Sequence, residues 1–249
     1  MRNTKTVQNP EEIAEYVNEI NPDILVLGGD IIDSKKDLEV LDNYLKLLNV
    51  SQKFYVNGNH EHQLKSQEFE TFKSILSNNG FIDLNNNNVS FDGFNLIGID
   101  DTVTEHDDVL LAYKDINTSN DFNIVVSHSN DVNYKLDKHS LSADIVLTGH
   151  THGGQIDSPL IPAINNTNLW KEEGFYKGEY IYEGTNKIYK NYTSNGIGGS
   201  GTPLRYNAQQ EGLVLNIFTN VEDEEIIIVN NVDIERSEIT RIDVALFSY

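Results

Sequence analysis

Over residues 1–155, short apolar runs alternate with longer segments in which apolar positions recur every three or four residues. In the first such segment, Ile13, Val17 and Ile20 fall on one face of a helix. Short apolar runs without polar alternation are typical of parallel strands that are buried on both faces. The pattern predicts helices at 11–20, 36–48, 67–78 and 107–114, and strands at 24–27, 53–56, 94–99, 123–126 and 145–148. This order favours a mainly parallel sheet with helices outside it.

The pattern changes in the rest of the chain. Residues 156–186 have the composition of a loop. Further strands are predicted at 187–193, 213–220 and 225–230. The Asp223-Glu224 link predicts a hairpin between the last two of them. We expect these strands to form a second, mostly antiparallel sheet that packs face to face on the first.

The domain organisation follows from the absence of any obvious linker or internal repeat in the sequence. We expect one domain over residues 1–249. Within it, residues 1–155 form the mainly parallel α/β half, and residues 156–249 form the mainly β half.

The chain is strongly acidic, with 39 Asp and Glu against 18 Lys and Arg and a net charge of −21. Nucleic-acid-binding proteins neutralise phosphates with Lys and Arg, so this composition disfavours a nucleic-acid partner and a nuclease function. Because there is no cysteine, any metal must be held by His, Asp, Glu or Asn. Such ligands favour Mn, Fe, Zn, Co or Ni. No apolar run approaches the ~20 residues that span a bilayer, so we expect no membrane-spanning segment.

Potential metal ligands follow four of the predicted strands at the point where each strand ends. They are Asp30, the Asn59-His60-Glu61 run, His128, and the pair His150 and His152. Ligands of open α/β sheets bind beyond the carboxyl ends of the strands. Each fragment alone is a weak signal, because a lone histidine beside a strand is more often structural. Their shared position in the predicted sheet indicates a metal site at one edge.

These fragments, taken in order, resemble a known family. Gly-Asp at 29–30, Gly-Asn-His-Glu at 58–61, a lone His at 128 and Gly-His-Thr-His-Gly-Gly at 149–154 resemble the calcineurin-like metallophosphoesterase superfamily. Segments 96–101, 192–198 and 203–205 resemble its bacterial and archaeal membrane- or envelope-associated phosphohydrolases in particular. The resemblance implies an α/β fold of two facing mixed β-sheets flanked by helices. It also implies hydrolysis of phosphomonoester, phosphodiester or pyrophosphate bonds.

The resemblance implies two divalent metal ions, drawn from Mn, Fe, Zn, Co and Ni. Asp30 would bridge the two ions, since one carboxylate offsets the repulsion between them. Asn59, His128 and His150 would complete the protein shell of the second ion, and His152 would turn to the first. A metal-bound hydroxide would be the nucleophile.

Two further residues have implied catalytic roles. His60 would donate a proton to the leaving-group oxygen or stabilise the developing charge on the phosphate. Glu61 would hydrogen-bond and orient His60. We expect Asp33 to organise the loop after Asp30. Arg205 would form a structural ion pair in preference to binding a substrate phosphate.

The remaining candidate residues allow both a structural and a functional interpretation. Asp100 and Asp101 suit a strand end or a place behind the metal ligands equally well. The aromatic residues after the last motif are expected to form a local core, with a substrate pocket as the alternative; they are Trp170, Phe175, Tyr176 and Tyr180. We expect the other histidines to lie on the surface; they are His62, His106 and His139.

One element of the family pattern is not found. The family's first motif, Asp-x-His, ends a strand that precedes the helix at 11–20. The only such triplet here is Asp137-Lys138-His139, which lies in a polar segment and reads as coincidence. We therefore expect the first strand to be missing through N-terminal truncation. The sheet would have an unpaired edge, one ion would be well held, and activity would be impaired.

Several functional alternatives follow. The runner-up to an enzyme is a non-catalytic module that binds a single metal or a partner. The expected substrate is a small phosphorylated molecule, with lipid- and nucleotide-linked phosphates as the candidates. The chain as given is expected to be cytoplasmic, and a full-length protein to be associated with a membrane or the envelope. The sequence does not specify the oligomeric state.

Overall fold

The computed structural model describes residues 10–119, 121–158, 174–199, 204–219 and 240–247. The helices are α1 (Pro10–Ile20), α2 (Leu38–Leu45), α3 (Ser66–Asn78), α4 (Val109–Ala112) and α5 (Val132–Lys138). The strands are β1 (Ile24–Gly28), β2 (Gln52–Val56), β3 (Phe81–Asp83), β4 (Asn87–Phe91), β5 (Phe94–Ile99), β6 (Phe122–Ser127), β7 (Ile145–Thr148), β8 (Gly178–Glu183), β9 (Ile188–Thr193), β10 (Leu213–Thr219) and β11 (Thr240–Phe247).

The strands form two mixed sheets. The first sheet has the order β10-β11-β1-β2-β3, and the second has the order β4-β5-β6-β7-β9-β8. Strands β11, β1, β2 and β3 pair in parallel, as do β5, β6, β7 and β9. Strands β10, β4 and β8 are antiparallel to their neighbours. The predicted α/β class with two mixed sheets is confirmed.

Alternation along each strand divides the interior into layers. Val26 of β1 and Phe54 of β2 share a buried cluster with Val126 of β6, which places the inner faces of the two sheets against each other. The intervening residues face outward. Leu25 of β1 packs in a cluster with residues of α1, α2 and α3, and Val125 of β6 packs with residues of α4 and α5. The result is a four-layer arrangement, and it explains why these strands are apolar on both faces.

The assignment of strands to sheets differs from the prediction. Strands β1 to β3 lie in the first sheet, whereas β5 to β7 lie in the second. The expectation that all four motif-bearing strands share one sheet is therefore wrong. So is the expectation that the C-terminal strands build a separate sheet, because β8 and β9 extend the second sheet while β10 and β11 extend the first. The change of sheet occurs where the short strand β3 gives way to the β4–β5 hairpin.

Four of the described strands were not predicted. Strand β8 lies in the segment expected to be a loop, and β3, β4 and β11 lie where the sequence analysis placed no strand. The expected strand at 225–230 and its hairpin lie outside the described residues. Strand β10 instead pairs antiparallel with β11.

The edge of β1 that faces away from β2 is occupied. Ile24 to Leu27 pair in parallel with Val244 to Phe247 of β11. A right-handed strand–helix–strand unit that ends with α1 and β1 would place its first strand beside β1. The expectation that this edge is unpaired is therefore wrong, since a strand from the far end of the chain lies there.

Within the described ranges, no helix is both long enough and apolar enough to cross a bilayer.

Candidate metal centre

The carboxyl ends of four strands meet where the two sheets face each other. Asp30 follows β1 and Asn59 follows β2 in the first sheet. His128 follows β6 and His150 follows β7 in the second. The structure therefore brings four predicted ligands to one region from both sheets, not from a single sheet edge. We call these four residues the metal centre.

Three of the ligands converge on one point. His128 Nε2 lies 3.1 Å from Asp30 Oδ2 and 3.0 Å from His150 Nδ1. The three ligand atoms lie within 4.8 Å of one another, Asp30 and His128 are buried, and His150 is half-buried. Adjacent ligands around one ion with bonds of about 2.1 Å are separated by roughly 3 Å. The observed spacings match that separation.

The side chain of Asn59 gives separate evidence that these residues suit a metal ion. Its Oδ1 is buried and has no hydrogen-bond partner among the described residues. A buried carbonyl oxygen without a partner is destabilising, so a cation at this place would satisfy it. Carboxylate, amide and imidazole donors together suit divalent ions of the first transition row and zinc. The residues present therefore fit a divalent metal ion.

The backbone around the centre is shaped for close approach. A Cβ at Gly29, whose φ is +88°, would lie 2.6 Å from His128 Nδ1, and one at Gly58 would lie 2.3 Å from Asp30 Oδ1. Asp30 and His150 themselves have φ of 49° and 66°. Left-handed backbone at residues other than glycine is uncommon and concentrates at functional sites. The two glycines therefore allow the loops to meet.

The centre is polarised by a buried ion pair. Burial raises the pKa of the Asp30 carboxyl, but the charge and hydrogen bond of His128 outweigh it, and the pKa lies well below its usual range. Burial likewise opposes charge on His128, yet Asp30 raises its pKa to about 9. Burial and the charge of His128 lower the pKa of His150 to about 4. The protein therefore favours one positive charge beside the Asp30 carboxylate, on the ring of His128.

A hydrogen bond to the backbone of Gly28 fixes the orientation of the His128 ring. Its Nδ1 lies 3.0 Å from the carbonyl oxygen of Gly28 and donates to it. Such a bond from the second ring nitrogen is the usual way in which proteins fix the tautomer of a metal-binding histidine. Nε2 is thus the atom that faces Asp30 and His150, and it is the atom available to a metal.

Glu61 connects the two ligand loops of the first sheet. Its buried carboxylate accepts hydrogen bonds from the backbone amides of Asp30 (2.9 Å), Gly58 (2.7 Å) and Ile32 (3.1 Å). Burial, followed by the charge of Asp30, raises its pKa to about 7. The expected hydrogen bond to His60 is not formed. Glu61 instead fixes the backbone that carries the ligands, because its two oxygens are occupied by these amides.

His60 is oriented by a different residue. Its Nδ1 lies 3.0 Å from the backbone oxygen and 3.2 Å from Oδ1 of Asp33. Its backbone amide donates to Asp30 Oδ1 at 2.9 Å, and its Nε2 lies 3.9 Å from Asp30 Oδ2. The side chain is 23% exposed, so solvent reaches it. His60 thus presents Nε2 at the open side of the centre, with Asp33 behind it.

His152 does not join the converging group. It follows β7 at φ 51° and is buried, but its ring nitrogens do not belong to the group formed by Asp30, His128 and His150. Burial and the charge of Arg205 lower its pKa to about 3. Its predicted place at a first metal ion remains a prediction.

Arg205 is a buried residue, and its role differs from the expected ion pair. Among the described residues, its guanidinium hydrogen-bonds to backbone carbonyls and to the ring of His152, not to a carboxylate. Burial lowers its pKa to about 10, although the charge of Glu211 acts in the opposite direction.

His62 is not a free surface histidine. Its Nε2 lies 2.7 Å from Asp100 Oδ1, and its side chain is only 8% exposed. Asp100 Oδ1 also accepts from the amide of Asp101 and from Asn57 Nδ2. The exposed ring of His106 stacks on His62 with centroids 3.7 Å apart. His62 therefore links the loop after β2 to the loop after β5.

Asp101 is fully buried at the end of β5. Its Oδ2 accepts from the amide (2.8 Å) and the hydroxyl (2.7 Å) of Thr104, which caps the following turn. Its Oδ1 has no hydrogen-bond partner among the described residues. Its negative charge favours the protonated forms of His128 and His150 and so acts to raise both pKa values, although the pKa of His150 is lowered overall. The sequence allowed Asp101 either a structural role at the strand end or a role behind the metal ligands. Both apply, since Asp101 stabilises the turn after β5 and acts electrostatically on the metal centre.

The lone Asp-x-His triplet has a structural role. Asp137 accepts hydrogen bonds from the backbone amides of Thr185, Asn186 and Lys187 in the turn between β8 and β9. His139 is exposed. Neither residue belongs to the converging group of metal-binding side chains, so the interpretation of the triplet as coincidence agrees with the structure.

The aromatic residues form a local core. Phe175 stacks on Tyr180 with centroids 4.5 Å apart and contacts Tyr182 edge-on at 6.1 Å. The carbonyl oxygen of Tyr176 accepts a hydrogen bond from the loop after β7. These contacts favour packing over a substrate pocket. Trp170 lies outside the described residues.

Three side-chain contacts around the site were not found by sequence reasoning. These are the contact of Asp33 with His60, that of Arg205 with His152, and that of Asp100 with His62. A sequence signal existed only for Asp33, which stands in the loop directly after Asp30. The other two pairs join residues that are 53 and 38 positions apart.

Comparisons with known proteins agree with this geometry. The family model for the calcineurin-like phosphoesterase domain matches residues 6–154. The chain is 31% identical over 211 residues to the uncharacterized metallophosphoesterase YkoQ of Bacillus subtilis, covering 82% of this chain and 75% of that protein. It is 32% identical over 216 residues to an uncharacterized metallophosphoesterase of Helicobacter pylori strain J99, covering 83% of this chain and 54% of that protein. The chain thus spans about half the length of the Helicobacter relative.

Proposed function

Because the chain belongs to the calcineurin-like phosphoesterase family, we propose that it is a metal-dependent hydrolase of phosphomonoester, phosphodiester or pyrophosphate bonds. The observation that carries the proposal is the convergence of Asp30 Oδ2, His128 Nε2 and His150 Nδ1 on one point. The buried Oδ1 of Asn59, which has no hydrogen-bond partner among the described residues, supports it. A divalent ion held by these residues would polarise a phosphoryl oxygen and lower the pKa of a bound water.

The metal centre residues hold the ion and set its charge balance. Asp30 contributes the only carboxylate of the converging group. His128 must lose the proton that Asp30 stabilises before Nε2 offers a lone pair. The hydrogen bond from Nδ1 to Gly28 keeps that lone pair directed at the centre. The amide oxygen of Asn59 adds a neutral ligand.

His60 serves the leaving group. Its Nδ1–H donates to the backbone oxygen of Asp33, which holds the ring with Nε2 toward the centre. A proton on Nε2 can pass to the leaving-group oxygen as the phosphorus–oxygen bond breaks. Partial exposure of the ring leaves room for substrate.

Glu61 preorganises the site without contacting the reacting atoms. Its bonds to the amides of Asp30 and Gly58 keep the two loops at a fixed separation. A ligand set that is already in place does not have to reorganise when charge develops in the transition state.

The substrate is proposed to be a small phosphorylated molecule, with lipid- or nucleotide-linked phosphates as the candidates. The net charge of −21 supports a small molecule over a polynucleotide. The fold itself is compatible with many phosphate esters, so the choice depends on the loops around the site.

The proposal is tested by hydrolysis of three substrates: an aryl phosphomonoester, an aryl phosphodiester and a nucleoside diphosphate sugar. Each is assayed with Mn²⁺, Zn²⁺ or a chelator. We expect turnover of at least one substrate that requires metal. His60→Ala should lower kcat by about 100-fold while bound metal is retained. The exposed His139 provides the control, because His139→Ala should leave both quantities unchanged.

A second candidate is a module that binds one ion without catalysis. It is favoured by the observation that, within the described residues, a single group of metal-binding side chains was found. Metal binding without turnover of any of the three substrates would support this module and contradict the enzyme.

A further inference from the structure

A cavity of about 470 Å³ opens beside the metal centre, where strands β2, β3 and β5 end. Asn57, Asp83 and Asp100 line it, one at the end of each strand. Strand β3 pairs in parallel with β2, and β5 pairs in parallel with β6. Because β2 and β6 also lead to metal ligands, the cavity and the metal centre lie at the same edge of the fold. Asn57 is only two residues before Asn59.

One wall of the cavity consists of rings. The rings of His62 and His106 stack with centroids 3.7 Å apart, and the Phe69 ring lies 5.7 Å from that of His62. Lys73 Nζ lies 5.1 Å from the centroid of the Phe69 ring. All four residues line the cavity. An ammonium group is attracted to the face of an aromatic ring, and this wall already has one against it.

Four carboxylates and one lysine line the cavity, and three of the carboxylates already have strong partners. Glu70 Oε1 lies 2.7 Å from Lys73 Nζ, and Asp100 Oδ1 lies 2.7 Å from His62 Nε2. The carboxylate of Glu61 accepts hydrogen bonds from backbone amides of the ligand loops. These three groups therefore do not need a ligand to satisfy them.

Asp83 is the fourth carboxylate, and its hydrogen bonds come from neutral groups. Oδ2 accepts from the hydroxyl of Tyr55 at 3.0 Å. Oδ1 accepts from the backbone N–H and the side-chain Nδ2 of Asn85, at 2.9 and 2.8 Å. Each carboxylate oxygen has two lone pairs, so Oδ2 can accept a further hydrogen bond. Asp83 is exposed, and these contacts leave its negative charge without a cation.

Asn57 adds a buried acceptor to the cavity. The residue is 3% exposed, its backbone N–H donates to Asn85 Oδ1 at 2.8 Å, and its Nδ2 donates to Asp100 Oδ1 at 3.3 Å. Its Oδ1 has no hydrogen-bond partner among the described residues. A buried oxygen without a partner is destabilising, so an N–H donor from a bound molecule would be stabilising here. The cavity therefore favours a cation that carries N–H groups.

A small inorganic ion does not suit this cavity. Within the described ranges, one group of metal-binding side chains converges, and it consists of Asp30, His128 and His150. The carboxylates of the cavity are not close enough to surround one ion in the same way. An organic ammonium bridges wider gaps, because its N–H groups donate in several directions and its methylene groups pack against rings.

We propose that this cavity binds the ammonium group of an aminoalkyl phosphate whose phosphate lies at the metal centre. The proposal rests on the proposed phosphoester hydrolysis and names its substrate class. The ammonium group donates to Asp83 and to Oδ1 of Asn57, and the methylene groups contact the ring wall. Two residues of extended chain span roughly 7 Å, so the short linker of such a molecule joins the two sites.

The first test measures binding without turnover. Ethanolamine, which is protonated at neutral pH, is compared with ethylene glycol, its neutral counterpart of similar size, by NMR titration of the protein. We expect ethanolamine to bind at least about tenfold more tightly. Equal affinity of the two compounds would overturn the proposal. The titration uses zinc-loaded protein and is repeated after chelation, and ethanolamine binding that disappears with the zinc would also overturn it.

Two substitutions show whether the cavity is the binding site. Asp83→Asn keeps the size of the side chain and should weaken ethanolamine binding about tenfold. Asp92→Asn is the matched control, because Asp92 is an exposed carboxylate in the turn between β4 and β5, at the opposite end of β5. We expect this variant to bind ethanolamine like the wild type. Equal weakening by the two substitutions would indicate attraction to the acidic surface as a whole and would overturn the proposal.

Lys73→Met tests the sign of the ligand's charge. The substitution removes the positive charge from the cavity wall and leaves Glu70 without its partner. We therefore expect ethanolamine to bind about threefold more tightly. Weaker binding of ethanolamine to this variant would overturn the proposal. The Lys73 side chain is 35% exposed, so this variant also decides the question if Asp83→Asn does not fold.

Hydrolysis connects the cavity to the metal centre. Zinc-loaded protein should have a KM for 2-aminoethyl phosphate about tenfold lower than for ethyl phosphate, and this advantage should disappear in Asp83→Asn. Vesicles of phosphatidylethanolamine, assayed in parallel, distinguish a lipid source of the amine from a soluble one. Equal KM values for the two soluble esters in the wild type would overturn the proposal. Absence of turnover of every substrate would contradict the proposed hydrolysis, whereas the ethanolamine titration would still decide whether the cavity binds an amine.

Discussion

Two groups of histidine and aspartate lie at strand ends in this protein, and only one of them converges on a point. The first is the metal centre, with Asp30, His128 and His150; the second, which we call the His62 group, consists of His62, His106 and Asp100. In the metal centre, nitrogen and oxygen atoms from separate strands face one another at 3.0–3.1 Å. In the His62 group, the two rings stack in parallel at 3.7 Å and 7°. Parallel rings direct their nitrogens side by side, away from a common centre.

This difference shows that the number of histidine and aspartate side chains in a group is a poor guide to whether the group binds a metal. Asp100 Oδ1 is already saturated by the ring of His62, the amide of Asp101 and the side chain of Asn57. Asn59 Oδ1 in the metal centre has no such partner among the described residues. A buried acceptor oxygen without a hydrogen-bond partner indicates a site for a ligand, whereas acceptors whose hydrogen bonds are all formed indicate a structural network.

The largest expected effect breaks the metal centre. His128→Ala or His150→Ala removes one of the converging ligands, and we expect the affinity for Zn²⁺ or Mn²⁺ to fall by more than about 100-fold. His62→Ala and His106→Ala are the matched substitutions in the other group and should retain metal. Bound metal is measured by elemental analysis after dialysis and by calorimetric titration.

The comparison would be refuted by the reverse pattern. If His62→Ala released metal while His150→Ala retained it, the His62 group would be the ligand site. Circular dichroism of each variant shows whether the fold is intact, so loss of metal can be separated from unfolding.

An intermediate effect is expected at Glu61, which is next to His62 in sequence but binds the loops of the metal centre. Glu61→Ala leaves three buried amides without an acceptor, so the free energy of unfolding should fall by about 3 kcal/mol. Glu61→Gln keeps one acceptor oxygen and should cost about half as much. Urea unfolding gives both values. Equal stability of Glu61→Ala and the wild type would contradict the assigned role.

The sequence was sufficient to predict the three side chains that converge in the structure. Asp30 and His128 follow short apolar runs, and such runs are typical of parallel strands that are buried on both faces. Their assignment to two different sheets was not predictable in the same way. Helices and strands alternate identically whether a strand continues one sheet or begins another. The decision rests on the parallel pairing of β5 with β6, which joins residues that are far apart in the chain.

The contacts behind the site were predictable only in part. Asp33 was expected to organise the loop after Asp30, whereas its contact in the structure is with the ring of His60. Arg205 was expected to find a carboxylate, yet four carbonyls satisfy it. Carbonyl oxygens occur at every residue, so a guanidinium that binds them leaves no pattern in the sequence. Glu61 shows the same limitation, since its partners are backbone amides.

The smallest expected effect concerns the His62 group alone and sharpens its distinction from the metal centre. His62→Ala removes the hydrogen bond to Asp100 and should lower the free energy of unfolding by about 1–2 kcal/mol without loss of metal. Asp101, Glu61 and His106 also face this ring. Urea unfolding of wild type and variant at the same pH gives the difference.

The pH dependence of that difference identifies its origin. Burial opposes charge on His62, but the hydrogen bond and charge of Asp100 prevail and raise its pKa above the ordinary value of 6.5. The stabilisation is therefore fully present below about pH 6.5 and is lost as the pH rises through the raised pKa. The gap between wild type and His62→Ala should be wider at pH 6 than at pH 9. In an Asp100→Asn background the gap should lose most of this dependence, because the main source of the shift is gone. A gap that stays constant with pH in the wild-type background would show that His62 acts through packing and not through its charge.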